Sequence, residues 1–267
     1  MEPKHCFFAP RRRPPIVDMI IEERPLDVER RIRSGIQHGA DAFGIQMEWL
    51  KPEFRSEASL REIFAYLADS PLYITNYRGG WNEKMSEEAR MDELKTAVRA
   101  GARLVDFTAD LFAPDKYEFA RDASAADRQR RLADEFHSLG AEVLISSHVM
   151  EFRPCDEVVE IALEQQRRGA DVAKIVTNSD TEDELWANLE TTRVLKRELK
   201  IPFLFMSNGP WCKLHRMVGP YLGCCMWLCV DCYGEHSSLN QPTLGAVRAV
   251  VDSFDAAPFR PSAAEIA

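Results

Sequence analysis

Eight short apolar or β-branched runs alternate along this chain with eight longer amphipathic stretches, and this alternation limits the fold to very few choices. The runs cover residues 16–21, 42–47, 72–77, 104–107, 142–146, 172–176, 203–206 and 224–230. Helical patterns lie between them at 26–38, 60–68, 87–100, 125–139, 155–168, 181–199 and 213–221, with a last one at 244–253. Gly39, Gly101, Gly140 and Gly169 each close a helical pattern just before a strand-like run, where a left-handed cap costs glycine nothing. Pro71 and Pro202 introduce two further runs, because proline ends helices and tolerates the start of a strand. Eight such units within about 250 residues is the length of a (β/α)8 barrel. A doubly wound sheet is the alternative, but no glycine-rich phosphate loop follows the first run. The expected organisation is a single (β/α)8 TIM-barrel domain over residues 1–254, with a loosely ordered tail at 255–267.

Composition narrows the setting. With 45% hydrophobic residues among 267, the chain can bury a large core in one domain. A formal charge of -9 argues against nucleic acid as a partner, since phosphate neutralisation drives that binding. No run approaches the ~18 apolar residues of a membrane span. Arg11-Arg12-Arg13 is followed by Pro14-Pro15, which reads as a solvated entry segment rather than a signal peptide. A cytoplasmic protein is expected. Five of the seven cysteines crowd between Cys212 and Cys232, including the pair Cys229 and Cys232 in a CxxC spacing. Zinc requires a second Cys/His pair at matching spacing. That pair is missing, although Cys224, Cys225, His215 and His236 lie near. The reading adopted is no metal, with small thiols filling a tight strand in a reducing compartment.

The barrel makes a functional statement, because side chains at the carboxyl ends of its strands converge on one face. Arg78, His148, Lys174 and Ser207 close the third, fifth, sixth and seventh runs, and Asp106 belongs to the fourth. An ammonium at the mouth of a buried strand is desolvated, which favours the neutral amine and makes Lys174 a candidate nucleophile toward a ketone or aldehyde. His148 is the natural proton shuttle beside it. Each alone is more simply a solvated rim residue. Together they point to imine chemistry followed by proton abstraction next to the former carbonyl, steps that call for no cofactor.

At these residues the chain resembles the type I 3-dehydroquinate dehydratases, Schiff-base barrel enzymes of the shikimate and quinate pathways. Gly169-Ala-Asp-Val-Ala-Lys174 is similar to the family's Schiff-base lysine segment, and Ser146-Ser-His-Val-Met-Glu151 to its catalytic-histidine segment. Met206-Ser-Asn-Gly with Leu214-His-Arg216 resembles the stretch whose arginine grips the substrate carboxylate, and Leu72-Tyr-Ile-Thr-Asn-Tyr-Arg78 the strand-three arginine segment. The resemblance implies a hydro-lyase that dehydrates a small cyclic keto-carboxylate, 3-dehydroquinate, and that works as a homodimer. Catalysis would fall to Lys174 and His148. Arg216, Arg78, Gln46, Ser207, Ser238 and Asn240 would bind substrate, and Asp106, Glu48 and Asn82 would support them. In this reading Arg78 holds Asp106 or another acid at the floor of the site, or touches substrate.

Three departures from the family pattern bear on recognition. Where the family reads Glu-x-Arg-x-Asp, this chain has Gly44, Gln46 and Glu48. The glutamate that tunes the histidine should stand between Arg78 and the Gly79-Gly80 pair and is absent, leaving Asn82 or Glu83 as substitutes. The loop after strand eight reads Gly234-Glu-His-Ser-Ser-Leu-Asn-Gln241, so that Ser237, Ser238, Asn240 and Gln241 are available to close over a polyol. His215, His5, His38 and His137 are expected to be surface or helix residues. Two other functions stay open: the same elimination on a different oxo-carboxylate, and a ligand sensor without catalysis.

Overall fold

The computed structural model describes residues 7–8 and 13–255; His5, Arg11, Arg12 and the expected tail at 255–267, apart from Asp255 at the end of the last helix, lie outside them. Eight parallel strands, β1 (Ile16–Ile20), β2 (Ala42–Gln46), β3 (Leu72–Thr75), β4 (Leu104–Thr108), β5 (Glu142–His148), β6 (Val172–Asn178), β7 (Phe203–Asn208) and β8 (Trp227–Cys229), pair in the order β7-β6-β5-β4-β3-β2-β1-β8. The Cys225 N–H reaches the Phe203 carbonyl at 2.8 Å across the seam between the two ends. Helices α1 (Pro25–Gln37), α2 (Glu57–Phe64), α3 (Glu87–Ala100), α4 (Ala123–Ser138), α5 (Cys155–Arg167), α6 (Glu182–Glu198), α7 (Cys212–Leu222) and α8 (Leu244–Asp255) each follow a strand. This is the (β/α)8 architecture, with the core between barrel wall and helices and inside the barrel.

Local chemistry explains the element boundaries. Ser56 and Asp122 accept N–H bonds from Ser59 and Ala125 and start α2 and α4 earlier than the apolar period alone suggests. Thr181 and Glu184 form a reciprocal capping box at α6. Strands β5, β6 and β7 run two residues beyond their apolar cores, to His148, Asn178 and Asn208, because the parallel ladder continues through His148↔Val176 and Asn178↔Asn208. Backbone pairing does not depend on an apolar side chain, so polar residues at these ends remain on a rigid scaffold.

The two-residue period of a strand then decides which side chains enter the barrel. Tyr73, Thr75 and Tyr77 face inward from β3 and its end, Lys174 and Val176 from β6, and Met206 and Asn208 from β7. Their sequence neighbours face the helices. Arg78 and Ser207 therefore have the wrong parity for the cavity.

Candidate active site

At the carboxyl end of the barrel, Lys174, His148, Tyr73, Tyr77, Gln46, Asn208, Arg216, Ser238 and Gln241 surround a cavity of 160 Å³ whose apolar wall includes Met19, Val176, Met206 and Leu228. Lys174 is almost fully buried. Its Nζ donates to Asp106 Oδ2 at 3.0 Å, Tyr77 Oη at 2.7 Å and Tyr73 Oη at 3.2 Å. Register explains the meeting: Thr75 is opposite Asp106, and Ser146 is opposite Lys174. Both phenols also donate to Asp106 Oδ2, while Ser146 Oγ donates to Oδ1 at 2.6 Å. Burial first, and then the negative charge of Asp106, hold both phenols well above the usual tyrosine range. They are protonated donors. Lys174 thus shares one buried network with the Asp106 carboxylate and two phenols.

His148 ends β5 with its imidazole edge-on to the Tyr77 ring, centroids 5.1 Å apart. Its Nδ1 lies 2.7 Å from Glu118 Oε2, and its backbone N–H meets the same oxygen at 3.0 Å. That leaves Nε2 for chemistry, its orientation set by a carboxylate. Glu118 was not foreseen. It comes from the segment between β4 and α4 and adopts a left-handed backbone, φ 48°, rare outside glycine, asparagine and aspartate. The surroundings enforce that conformation. Ser147 Oγ donates to the Glu118 carbonyl, and the fully buried Arg168 guanidinium grips the carbonyls of Ala109 and Ala120 at 2.8 and 2.6 Å, one at each end of the segment.

Asn82 and Glu83 do not serve the histidine, contrary to expectation. Asn82 Nδ2 donates to the Tyr77 carbonyl and Asn76 Oδ1, both at 2.8 Å, and its own oxygen accepts from Arg55. Glu48 is buried below the cavity, where it accepts from Thr75 Oγ1 at 2.9 Å and from the Tyr77 N–H at 3.3 Å. Burial raises its pKa, opposed by those hydrogen bonds and reinforced by Asp106. Both residues thus fix the backbone of Tyr77.

Arg216 enters from α7. Its Nε donates to the Ser207 carbonyl and its Nη2 to Asn208 Oδ1, each at 2.7 Å. No carboxylate pairs with it among the described residues, and burial lowers its pKa to about 10. A buried cation without an anion is costly unless a ligand supplies one. Ser207 does not reach the cavity, because its parity turns it outward into a buried relay. Asn188 donates to Ser207 Oγ at 3.0 Å, Ser207 to His215 Nδ1 at 2.7 Å, and His215 Nε2 to Thr192 Oγ1 at 2.8 Å. Thr192 in turn donates to the Asn188 carbonyl, which assigns the Nε2–H tautomer. His215 is therefore no surface residue: burial, then the Arg216 charge, push its pKa down to about 3, and it stays neutral behind the arginine.

Arg78 is likewise off the cavity. It donates to both oxygens of the buried Asp110 at 2.8 Å and to Glu87, so the acid it holds is not Asp106. Gln46 does line the cavity, and its amide has no partner among the described residues. At Gly44 an added Cβ would lie 2.2 Å from Met19 Sδ and 2.9 Å from Tyr73; these side chains fill the space an acidic side chain would need. In the loop after β8, Ser238 and Gln241 line the cavity, and Gln241 Oε1 is buried without a partner among the described residues. Asn240 instead accepts from Cys212 and fastens the loop to α7. Of the CxxC thiols, Cys229 is buried and donates to the Val17 carbonyl, while Cys232 is exposed beside Arg31.

Comparison with known proteins accords with this geometry. A 3-dehydroquinate dehydratase of Haloarcula marismortui is 31% identical over 163 residues, 59% of this chain and 64% of that protein. One from Geobacillus thermodenitrificans is 26% identical over 68% of this chain and 66% of its own length. The chain thus spans just under two thirds of these two relatives, against 86% of a Klebsiella pneumoniae 3-dehydroquinate dehydratase at 26% identity, with 82% of this chain covered. Among solved structures, 3-dehydroquinate dehydratase from Geobacillus kaustophilus superposes with TM-score 0.78 at 17% identity, over 91% of this chain and 92% of that one. At that identity the likeness speaks for the fold alone. The sequence profile of the type I 3-dehydroquinase family matches residues 19–255, a span that includes the lysine, the histidine and the unpaired arginine. The chain belongs to the type I 3-dehydroquinase family.

Proposed function

We propose that this protein is a hydro-lyase that dehydrates 3-dehydroquinate to 3-dehydroshikimate through an imine on Lys174. The observation that carries this reading is one small cavity shared by an amine, an imidazole and a buried guanidinium that no carboxylate pairs with among the described residues. A cyclic keto-carboxylate satisfies all three. Its carboxylate pairs with Arg216, whose planar fork suits it better than an ammonium would. Lys174 adds to the ketone, and the resulting iminium acidifies the adjacent C–H by accepting its electron pair. His148 removes that proton, Glu118 stabilises the imidazolium, and the same nitrogen returns the proton to the departing β-hydroxyl. Gln46, Ser238 and Gln241 line the same cavity and would read ring hydroxyls.

Filling of the Gly44 space by Met19 and Tyr73 favours a second reading: the same elimination on another oxo-carboxylate with fewer hydroxyls. Incubation with 3-dehydroquinate and borohydride, followed by mass spectrometry and enone absorbance, tests both. Enone formation and a reduced adduct on Lys174, both lost in Lys174→Ala, are expected. Turnover without an adduct would end the imine mechanism, and neither signal would end 3-dehydroquinate as substrate. We infer a cytoplasmic setting from six unpaired cysteines among the described residues. We also infer the homodimer common in the family, which light scattering against the 30.4 kDa chain checks. Among the described residues no helix is long and apolar enough to cross a membrane.

A further inference from the structure

We propose that Tyr77 is a catalytic residue that carries protons between Asp106 and the substrate oxygen lost as water when the imine forms, leaving His148 to the elimination. The proposal rests on the imine reading and adds a step to it. Among the described residues the hydrogen-bond partners of Lys174 Nζ are Asp106 and two phenols; the imidazole is not one of them. His148 has also committed Nδ1 to Glu118. The protons that must leave Nζ therefore have an acceptor at 3.0 Å in Asp106, and the carboxylate has Tyr77 as its route outward.

Tyr77 differs from Tyr73 in the respects that matter. Its Oη is nearer Nζ, 2.7 against 3.2 Å, and of the two phenols lining the cavity it is half-buried whereas Tyr73 is fully buried. Its backbone is fixed on both sides, the N–H by Glu48 and the carbonyl by Asn82. Its parity on β3 points it inward, at the place where Arg78 was expected to act.

The steps balance as follows. Asp106 takes one proton from the Lys174 ammonium, and the free amine bonds to the carbonyl carbon. The carbonyl oxygen receives a proton from Tyr77, which recovers it from Asp106. Asp106 then takes a second proton from the nitrogen. Through Tyr77 this proton reaches the carbinolamine hydroxyl, the C–O bond breaks and water leaves. One hydrogen stays on the iminium nitrogen, and Asp106 ends as the carboxylate it began as. No oxidant or further reactant enters.

The test uses pentane-2,4-dione, which forms an absorbing enaminone with a reactive lysine and needs carbinolamine dehydration but no β-elimination. Wild type should form the enaminone on Lys174. Tyr77→Phe should slow it roughly 100-fold, the scale of one general acid–base contribution, and Asp106→Asn at least as much. Tyr73→Phe should slow it at least tenfold less than Tyr77→Phe, and His148→Ala should leave it fast while abolishing enone formation from 3-dehydroquinate. Near-ultraviolet circular dichroism checks the fold of each variant; if Tyr77→Phe is not native, the Asp106→Asn and Tyr73→Phe pair decides. Tyr77→Phe at the wild-type rate, no enaminone in wild type, or equal slowing by both phenylalanine variants would each overturn the relay. Turnover of 3-dehydroquinate with an unaffected Tyr77→Phe would sink the relay and keep the substrate. The expected enaminone pattern with no adduct or turnover of 3-dehydroquinate would do the reverse.

Discussion

Glu118→Gln isolates one charge beside the His148 imidazole, the proposed proton shuttle, without moving the backbone. The glutamine carbonyl can still accept from Nδ1, so the ring keeps its tautomer and orientation and loses only the negative charge. Two unit charges about 4 Å apart interact by roughly 4 kcal/mol at an effective dielectric of 20. Here about a quarter of each side chain meets solvent, 25% for His148 and 29% for Glu118, so water screens part of that. The remainder lies near the ~1.5–3 kcal/mol of a hydrogen bond to a charged group. In the proposed mechanism the imidazolium forms as the proton is taken, so the loss should fall on the elimination step, about 10- to 150-fold in kcat. Borohydride trapping of the Lys174 adduct should proceed as in wild type. Glu118→Gly is a useful companion, since φ 48° suits glycine: it should fold well and lose at least as much activity. A Glu118→Gln enzyme within threefold of the wild-type kcat would refute the role of Glu118, and equal slowing of trapping would show that it serves imine formation instead.

Three other outcomes follow from the same geometry. Arg216→Met should lower kcat/KM at least ~30-fold, mainly through KM, because a buried charge pair with the substrate is lost; the loss should disappear when the methyl ester replaces the acid. Arg78→Ala should change KM less than threefold yet lower urea stability by about 1–3 kcal/mol, because the buried Asp110 loses its partner; a large KM effect would return Arg78 to the site. Asp18, in β1, has one carboxylate oxygen without a partner among the described residues, and burial, then the Asp231 charge, raise its pKa from 3.8 to about 7. Between those values the native state holds a proton that the unfolded chain has released, so stability falls with rising pH by ~1.4 kcal/mol per unit, about 4 kcal/mol in all. Urea unfolding of Asp18→Asn across this window should lack that slope; an unchanged slope would refute the assignment.

The barrel was legible because every strand run is bounded by residues with a physical reason to be there, such as Gly169 at φ 91° after α5 and the Thr181 cap of α6. Lys174, His148, Arg216, Gln46 and Ser238 could be found from strand ends and family motifs, and all line the cavity. Arg78 and Ser207 were misplaced by one residue, and one residue reverses the face of a strand. Counting in twos from Tyr73 and Thr75 selects Tyr77, and counting back from Asn208 selects Met206, so that signal was present in the sequence. Glu118 left none. It lies outside any periodic segment, in a backbone region its residue type seldom occupies, and only the packing around Arg168 holds it there. His215 was missed for a related reason: a helix position does not reveal a partner set drawn from α6 and β7.

The grip of Arg168 on Ala109 and Ala120 makes the intervening stretch a span of fixed contour, tied at both feet to the back of the barrel. Adding or removing one residue between those feet would shift the carboxylate at 118 by up to about 3.4 Å along the chain, farther than its reach to the imidazole. The carboxylate–imidazole pair at the open end of the barrel is thus calibrated from behind the strands, by a cation outside the cavity lining.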